Sequence, residues 1–189
     1  SLIILLSYLM GSIPFGFILT KIFLKKDIRK IGSGNIGATN VLRTGNKIIG
    51  YITLSLDILK AIAPLLIIKF NFPEFIFLSA LSIFLGHVFP VWLKFKGGKG
   101  VATYVGILFC INYILGFVFI FSWFIFFIIF RYSSLSSLIA SLTIPIYQLY
   151  IIDNNNYYFF IILFILIFYT HRENVKRLIN NTESKTKIY

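Results

Sequence analysis

The longest uncharged stretch of the chain runs for thirty residues, from 101 to 130. An α-helix needs only about 20 predominantly apolar residues to cross the hydrocarbon core of a bilayer. Long apolar segments lie on both sides of this stretch, and the chain as a whole is 58% hydrophobic and 13% charged, where a globular domain has about 25% charged residues. The sequence therefore predicts an all-α, multi-pass integral membrane protein. It shows neither an internal repeat nor a linker, so we expect residues 1–189 to form one domain.

Polar segments divide the chain into predicted spans, and basic residues indicate their direction. Besides the run 101–130, the predicted spans are 1–24, 47–70, 75–95, 135–152 and 157–170. If the run crosses the membrane twice, breaking near 112–116, then 16 of the 18 Lys and Arg residues lie on one side. A single crossing would move Arg131 and the C-terminal tail outside, against the positive-inside rule. We therefore expect seven transmembrane helices, with the N-terminus outside and the C-terminus cytoplasmic. Two helices of about 15 residues would each be about 22 Å long, so they must thin the bilayer or be flanked by protein.

This topology places three polar segments on one membrane surface: 25–46, 94–100 and the tail from His171. A single composite site on the cytoplasmic side is therefore expected. An alternative is that the basic residues of 25–30 and of the tail only set the topology and meet anionic lipid headgroups. That alternative does not account for the glycines in the two loops.

The first polar loop contains the sequence GSGNIGATN, residues 32–40. It matches G-x-G-x-x-G, but a membrane span precedes it where a dinucleotide site requires a strand. Glycines allow successive backbone N–H groups to face an anion, and nearby side chains add donors. Arg43 supplies a planar fork for a phosphate. The expected phosphate-binding residues of this loop are Ser33, Gly34, Asn35, Gly37, Thr39, Asn40 and Arg43. A flexible connector between spans is the alternative.

The second polar loop surrounds two glycines with lysines at the start of a predicted helix. Free N–H groups and the positive end of the helix dipole favour an anion there. The P-loop pattern fails, because its first glycine position holds Leu93 and its hydroxyl position holds Gly100. The residues expected to bind phosphate are Lys96, Gly97, Gly98, Lys99, Gly100 and Thr103.

Four motifs carry a resemblance to a known family. They are GSIPFG at 11–16, GSGNIGATNVLR at 32–43, GHVFPVWLKFKGGKGVAT at 86–103 and HRENVKRL at 171–178. Together they resemble the bacterial acyl-phosphate:glycerol-3-phosphate acyltransferases of the PlsY type, over essentially the whole chain. The resemblance implies a seven-helix enzyme of the plasma membrane, the cell inner membrane, with its active site on the cytoplasmic side. It implies transfer of a fatty acyl group from acyl phosphate to position 1 of glycerol 3-phosphate, giving lysophosphatidic acid and phosphate for phospholipid biosynthesis.

The resemblance also implies site residues and partners. Ser33, Arg43 and Lys99 are expected to bind phosphate groups, with His87, His171 and Asn174 lining the same site. The partners are glycerol 3-phosphate, a long-chain acyl phosphate, membrane lipids and the enzyme that makes acyl phosphate, with no nucleic acid. The chain departs from the family pattern at Ala61 and Asn181, where glycine is usual.

The implied chemistry needs no covalent enzyme intermediate. An acyl phosphate is a mixed anhydride with a good leaving group, so fixed cations and oriented donors are sufficient. We expect Arg43 and Lys99 to stabilise the departing phosphate and Ser33 to hydrogen-bond rather than attack. The H-x-x-x-x-D pattern of other glycerol acyltransferases is absent, since Trp92 and Lys176 occupy its acidic positions. No cofactor and no metal site is expected.

His87 has two interpretations: a general base for the acceptor hydroxyl, or a brace for a helix end. A substrate phosphate is the other candidate to take the proton. Asp57 and Lys60, at i and i+3 within a span, are expected to pair and to face the bundle interior. Pro14 predicts a kink in the first span.

Two other classes of protein fit parts of the sequence. A transporter of organic phosphate would place polar groups along several spans and show alternating-access repeats. A non-catalytic lipid-binding or scaffold subunit would not depend on Arg43 or Lys99.

Overall fold

The computed structural model describes residues 2–152 and 156–186, and the regular elements in that part of the chain are all helices. The α-helices are α1 (Leu2–Gly11), α2 (Phe15–Phe23), α3 (Ala38–Leu42), α4 (Lys47–Asn71), α5 (Ile76–Val88), α6 (Val101–Ile111), α7 (Tyr113–Phe130), α8 (Ser133–Tyr147), α9 (Tyr157–Thr170) and α10 (Arg172–Ile179). Single 3₁₀ turns lie at Ile28–Lys30, Pro73–Phe75 and Val91–Leu93, and one π turn, Gln148–Ile152, follows α8. The all-α prediction is confirmed for the described residues.

Four helical segments within the described residues are long and apolar enough to cross a membrane. They are Lys47–Asn71, Pro73–Leu93, Tyr113–Phe130 and Ser133–Ile151. Two bent pairs, α1 with α2 and α9 with α10, raise the number to six if each pair is one span. These helices support a multi-pass membrane protein. Seven spans and the direction of the termini stay predictions.

The uncharged run 101–130 divides into two helices at Asn112, as the sequence predicts. The Asn112 side chain caps α7 by accepting a hydrogen bond from the Ile114 N–H at 2.9 Å. The two helices are unequal, with 11 residues in α6 and 18 in α7, rather than about 15 each. At 1.5 Å per residue α6 is only about 16 Å long, about half of the hydrocarbon thickness.

Contacts between residues divide the chain into two compact units, Ser1–Ile111 and Asn112–Tyr189, and each is described by itself. The expectation of a single domain stays a prediction. In the first unit α1 packs on α5 and α4 packs on α6. Glycines allow this close approach: a Cβ at Gly11 would meet the backbone of Ile83, and one at Gly86 would meet the Tyr8 carbonyl. α1 and α2 are bent by 40° at their junction, which confirms the kink predicted at Pro14.

A small apolar cluster underlies the polar loops of the first unit. Its buried members are Ile28, Ile36, Val41, Ile49 and Leu93. The first three belong to the first polar loop and α3, Ile49 begins α4, and Leu93 precedes the second polar loop. Burying side chains of this size stabilises a fold by about 1.5 to 3 kcal/mol each. This cluster, called the loop cluster below, therefore fixes both polar loops on one base.

The second unit is built on α8. α7 and α9 each pack on α8, and the Trp123 indole N–H of α7 donates to the Ser137 hydroxyl at 3.1 Å. Exposed Phe121, Ile125 and Ile129 lie four residues apart on α7. Such an apolar outer surface is typical of a helix that contacts lipid.

Candidate active site

The first polar loop is organised from within by Asn40, which is 2% exposed. Its Nδ2 donates to the carbonyl oxygens of Ile28 at 3.2 Å, Ile31 at 2.9 Å and Asn35 at 2.8 Å. Its Oδ1 accepts a hydrogen bond from the Ser33 backbone N–H at 3.0 Å. One buried amide therefore bonds four backbone groups of a loop that has no regular hydrogen-bond ladder, with its two N–H groups shared among three carbonyl oxygens.

The backbone N–H groups of this loop are also used within it. Gly37 N–H donates to the Asn35 Oδ1 at 2.8 Å, and Gly34 N–H donates to the Ile31 carbonyl at 2.9 Å. The N–H groups of Ser33, Gly34 and Gly37 therefore have partners within the loop, and the anion nest stays a prediction. Asn35 and Asn40 likewise direct their described hydrogen bonds to the loop, because short amide side chains bond readily to nearby backbone.

Three side chains of this segment that carry donor groups are exposed, those of Ser33, Thr39 and Arg43. Arg43 lies along Gly32: its Cδ is 3.0 Å, and its Nη1 3.6 Å, from the position a Cβ would take there. Gly32 has a φ of +55°, which disfavours any residue with a Cβ. The loop thereby holds the Arg43 side chain against Gly32, the residue before Ser33.

The second polar loop lies against the end of α5. Gly97 N–H donates to the Val88 carbonyl at 3.0 Å, and Gly98 N–H donates to the His87 carbonyl at 3.1 Å. A Cβ on Gly98 would collide with the Nε2 of His87. His87 is therefore in direct contact with the glycine that precedes Lys99.

The remaining candidates in this loop differ in exposure. Lys96 is exposed and Lys99 is half-buried. A Cβ on Gly100 would meet the Phe84 ring, so this glycine leaves room for the core. The buried Thr103 hydroxyl lies 3.4 Å from the Asp57 carbonyl oxygen in α4, to which it donates.

Because Leu93 belongs to the loop cluster, the two polar loops are joined within the first unit. This shared cluster supports a common location for the loops around Arg43 and Lys99, and the composite site itself stays a prediction.

Asp57 and Lys60 form a buried ion pair in α4, as predicted, with Lys60 Nζ 2.8 Å from Asp57 Oδ1. A third member of this group has no signal in the sequence pattern: Lys60 Nζ also lies 2.9 Å from the Nδ1 of His87 in α5. No local spacing connects these two residues, because they are 27 positions apart and meet only through helix packing.

The tail candidates belong to the second unit. His171 is 2% exposed, and its Nδ1 lies 2.8 Å from the Ile167 carbonyl, which can only accept; Nδ1 is therefore the donor. Asn174 donates from Nδ2 to Glu183 Oε1 at 2.6 Å. Their predicted place in the same site as Arg43 stays a prediction.

Glu183, which no sequence pattern singles out, organises the tail. Ser134 and Arg177 also donate to its carboxylate, at 2.7 and 2.6 Å. Burial raises the pKa of Glu183, but the hydrogen bonds from Ser134, Asn174 and Arg177 outweigh burial and hold the pKa below its usual range. The carboxylate therefore stays charged at neutral pH and orients the Asn174 amide.

Comparison with known proteins identifies the family. A family model described as glycerol-3-phosphate acyltransferase matches residues 1–181. This chain belongs to the glycerol-3-phosphate acyltransferase family. A glycerol-3-phosphate acyltransferase of Pelagibacter ubique (strain HTCC1062) is 71% identical over 188 residues, covering 100% of this chain and 98% of that protein. One from Rhodopseudomonas palustris (strain HaA2) is 52% identical over 183 residues, covering 96% and 93%.

Two solved structures of a glycerol 3-phosphate acyltransferase share the fold. Both are crystal structures of PlsY, an integral membrane protein. The glycerol 3-phosphate form has a TM-score of 0.91 and 36% identity, and the lysophosphatidic acid form a TM-score of 0.88 and 35% identity. Each alignment covers 98% of this chain and 94% of the other.

As a member of the glycerol-3-phosphate acyltransferase family, the chain is a membrane acyltransferase of phospholipid biosynthesis. The resemblance and the enzyme prediction are both confirmed. These matches favour neither the transporter nor the scaffold alternative.

Proposed function

We propose that this acyltransferase moves a long-chain acyl group from acyl phosphate to the sn-1 hydroxyl of glycerol 3-phosphate. The products are lysophosphatidic acid and inorganic phosphate. One observation carries the proposal: in a chain of this family, the loops with Arg43 and Lys99 are fixed on one loop cluster. PlsY has been crystallised in glycerol 3-phosphate and lysophosphatidic acid forms, which supports the same acceptor and product here.

The proposed reaction is a direct transfer. The acceptor hydroxyl oxygen attacks the acyl carbonyl carbon, and the bond from that carbon to the phosphate oxygen breaks. The hydroxyl proton is taken up by a phosphate group. Arg43 and Lys99 bring two anions together and stabilise the charge on the leaving phosphate. The exposed Ser33 and Thr39 hydroxyls orient phosphate oxygens, and the exposed Lys96 adds positive charge to the second polar loop.

A groove in the first unit is suited to the acyl chain of the donor. It has a volume of about 330 Å³, and its lining residues are Ile13, Pro14, Phe17, Ile18, Trp92 and Leu93. Leu93 also belongs to the loop cluster, and the Ile13 carbonyl oxygen lies 2.8 Å from Lys60 Nζ. An apolar chain in this groove would therefore have its phosphate end close to the polar loops.

Acyl phosphate is the proposed donor because the chain lacks the H-x-x-x-x-D pattern of other glycerol acyltransferases. Trp92 and Lys176 occupy the acidic positions after His87 and His171. A mixed anhydride needs less activation than a thioester. The enzyme that produces acyl phosphate is accordingly the proposed partner.

The proposed site faces the cytoplasm at the plasma membrane of a seven-span protein, with His171 and Asn174 completing it. This orientation places the exposed Lys26, Lys96 and Lys176 inside and Glu74 outside. Single cysteines at these positions, with Cys110 replaced by serine, test it in intact cells. An impermeant maleimide should label the cysteine at position 74 alone, and labelling at position 96 would overturn the orientation.

The proposed activity is tested with purified protein, palmitoyl phosphate and glycerol 3-phosphate. Phosphate and lysophosphatidic acid should form in equal amounts. Arg43→Ala and Lys99→Ala should each lower kcat/KM about 100-fold or more, because each removes a cation from the leaving phosphate.

Lys26→Ala is the matched control, since it removes an exposed loop lysine without a proposed role. It should keep wild-type activity. Transfer from palmitoyl-CoA at the same rate as from palmitoyl phosphate would contradict the proposed donor.

A further inference from the structure

Three ionisable side chains lie buried together between α4 and α5. Asp57 is 2% exposed, and Lys60 and His87 are each 4% exposed. Groups of this kind are costly inside a membrane protein unless they satisfy one another. Their arrangement therefore determines where each proton lies.

Lys60 is the centre of the group. Its Nζ donates to the Ile13 carbonyl oxygen at 2.8 Å, and it lies 2.9 Å from His87 Nδ1. Asp57 Oδ1 lies 2.8 Å from the same Nζ, as an ion pair without well-directed hydrogen-bond geometry. The carboxylate balances the ammonium charge, and the Ile13 carbonyl oxygen and His87 Nδ1 are the two hydrogen-bond partners of the ammonium.

The contact with Lys60 assigns the tautomer of His87. An ammonium has donors and no acceptor, so His87 Nδ1 must accept the hydrogen bond and carry no proton. Asp57 Oδ1 is 3.8 Å from Nδ1, too far to draw a proton there. In the neutral imidazole the proton then lies on Nε2.

The Nε2 atom of His87 points to the second polar loop. It lies against Gly98, whose N–H also donates to the His87 carbonyl at 3.1 Å. Among the described residues Nε2 has no hydrogen-bond partner. A donor without a protein acceptor is thus held against Gly98, the residue before Lys99.

We propose that Lys60 is a positioning residue that fixes His87 as the Nε2–H tautomer, so that His87 donates a hydrogen bond to a substrate oxygen and does not act as general base. This inference rests on the proposed function for the identity of the substrate. It deepens that function by excluding His87 as the general base. Nδ1 is blocked by Lys60, and Nε2 already carries its proton, so neither ring nitrogen can accept the proton of the acceptor hydroxyl. The acceptor hydroxyl must pass its proton to another group.

The tautomer is measurable without any substrate. The chain contains two histidines, so protein labelled with ¹⁵N-histidine gives two sets of ring signals, and His87→Leu assigns them. We expect wild-type His87 to show a bare Nδ1 and a protonated Nε2. A protonated Nδ1 with a bare Nε2 would overturn the proposal, and this result does not depend on any variant folding.

The role of the donor is tested by two substitutions at His87. Glutamine keeps a neutral N–H donor and cannot act as a base, whereas leucine has neither property. His87→Gln should therefore keep at least 10-fold more kcat than His87→Leu. Equal loss of kcat in both variants would indicate a general base and would overturn the proposal.

The role of Lys60 is tested by Lys60→Met. Its kcat should fall about 10- to 100-fold with little change in the KM for glycerol 3-phosphate, since the lost alignment acts on the transition state. The ¹⁵N spectrum should show both His87 tautomers. Asp57→Leu/Lys60→Met removes both charges and leaves no unpaired carboxylate, so it tests the same point if the single variant does not fold.

Lys69→Met is the matched control, because Lys69 is also in α4 and also donates to a carbonyl oxygen, that of Cys110, at 2.7 Å. It should keep the wild-type tautomer and kcat. A wild-type tautomer and kcat in both Lys60 variants would overturn the proposal. Failure of the wild-type protein to use palmitoyl phosphate would instead contradict the proposed function and leave the expected ¹⁵N spectrum unchanged.

Discussion

The two polar loops of the first unit lie on the same loop cluster but keep their shapes by different means. The first loop, within the polar segment 25–46, is held from within, because the Asn40 side chain bonds four backbone groups. The second loop, 96–100, contains no amide side chain. Its glycines lie directly on the end of α5, and the N–H groups of Gly97 and Gly98 donate to that helix.

This difference shows that glycine serves two purposes in similar-looking sequences. In the first loop Gly32 and Gly34 adopt positive φ angles of +55° and +71°, and amide hydrogen bonds hold the turn around them. In the second loop Gly98 is needed for space, because His87 occupies the volume of a side chain there. The first loop should therefore be sensitive to lost hydrogen bonds, and the second to added atoms.

Among the substitutions that compare the two loops, the largest effect on activity is expected from Gly98→Ala. The added methyl group would collide with His87 Nε2 and displace the ring from the position set by Lys60. We expect kcat to fall about 100-fold, comparable to the loss of one transition-state donor. Steady-state kinetics with palmitoyl phosphate and thermal unfolding would separate this loss from a folding defect.

Gly45→Ala is the control for the glycine substitution itself. Gly45 has a φ of +89°, and nothing lies within 4 Å of the position a Cβ would take. Strain should lower stability by about 1 to 3 kcal/mol and leave kcat unchanged. If Gly98→Ala also kept wild-type kcat, the second loop would have room for a side chain at position 98, and the proposed collision with His87 would be wrong.

A large effect on stability is expected from Asn40→Asp. The carboxylate can still accept from the Ser33 N–H, but it cannot donate to the carbonyls of Ile28, Ile31 and Asn35. A buried charge facing unpaired carbonyl groups should cost about 3 kcal/mol or more. Urea or thermal unfolding in detergent measures this loss.

The same exchange at Asn46 is the matched control. Asn46 caps α4 by accepting from the Ile49 N–H at 2.9 Å, and aspartate caps a helix about as well as asparagine. Asn46→Asp should change stability by about 0.5 kcal/mol or less. Equal losses for the two variants would mean that the donors of Asn40 do not hold the loop.

The sequence predicts the helices well where charges or polar residues end an apolar run. The predicted span 157–170 matches α9, and 47–70 differs from α4 by one residue. The sequence predicts the division of 101–130 near the right place, but it does not predict that the two helices have unequal lengths. The break lies at Asn112 because its side chain caps α7, and hydropathy does not encode the geometry of that cap.

The site is harder to predict, because hydrogen-bond partners are set by tertiary geometry. Asp57 and Lys60 are neighbours on one helix face, so their spacing predicts the pair. The contact of Lys60 with His87 joins two helices and leaves no local pattern. The sequence around Asn40 is compatible with an amide that binds a phosphate and with an amide that bonds its own loop. Only the folded structure distinguishes these two roles.

The smallest effect is expected at the exposed edge of the first loop, from Asp27→Asn. Asp27 accepts from the Arg29 backbone N–H at 3.0 Å and pairs with the Arg29 guanidinium at 2.7 Å. The hydrogen bond from the Arg29 side chain lowers the pKa of Asp27 to about 2, from 3.8. Because the pKa is lower in the folded state, the ion pair stabilises the protein above about pH 4, and this contribution is lost as the pH falls toward 2.

Asparagine keeps the cap on the 3₁₀ turn, and an exposed ion pair contributes little, so Tm at pH 7 should change by about 2 °C or less. The difference in Tm between wild type and variant should shrink further between pH 4 and pH 2, and Arg29→Gln should show the same trend. A loss at pH 7 as large as that of Asn40→Asp would mean that the first loop is held from its exposed edge. The first loop would then differ from the second loop because of its surface ion pair and not because of the buried Asn40 amide.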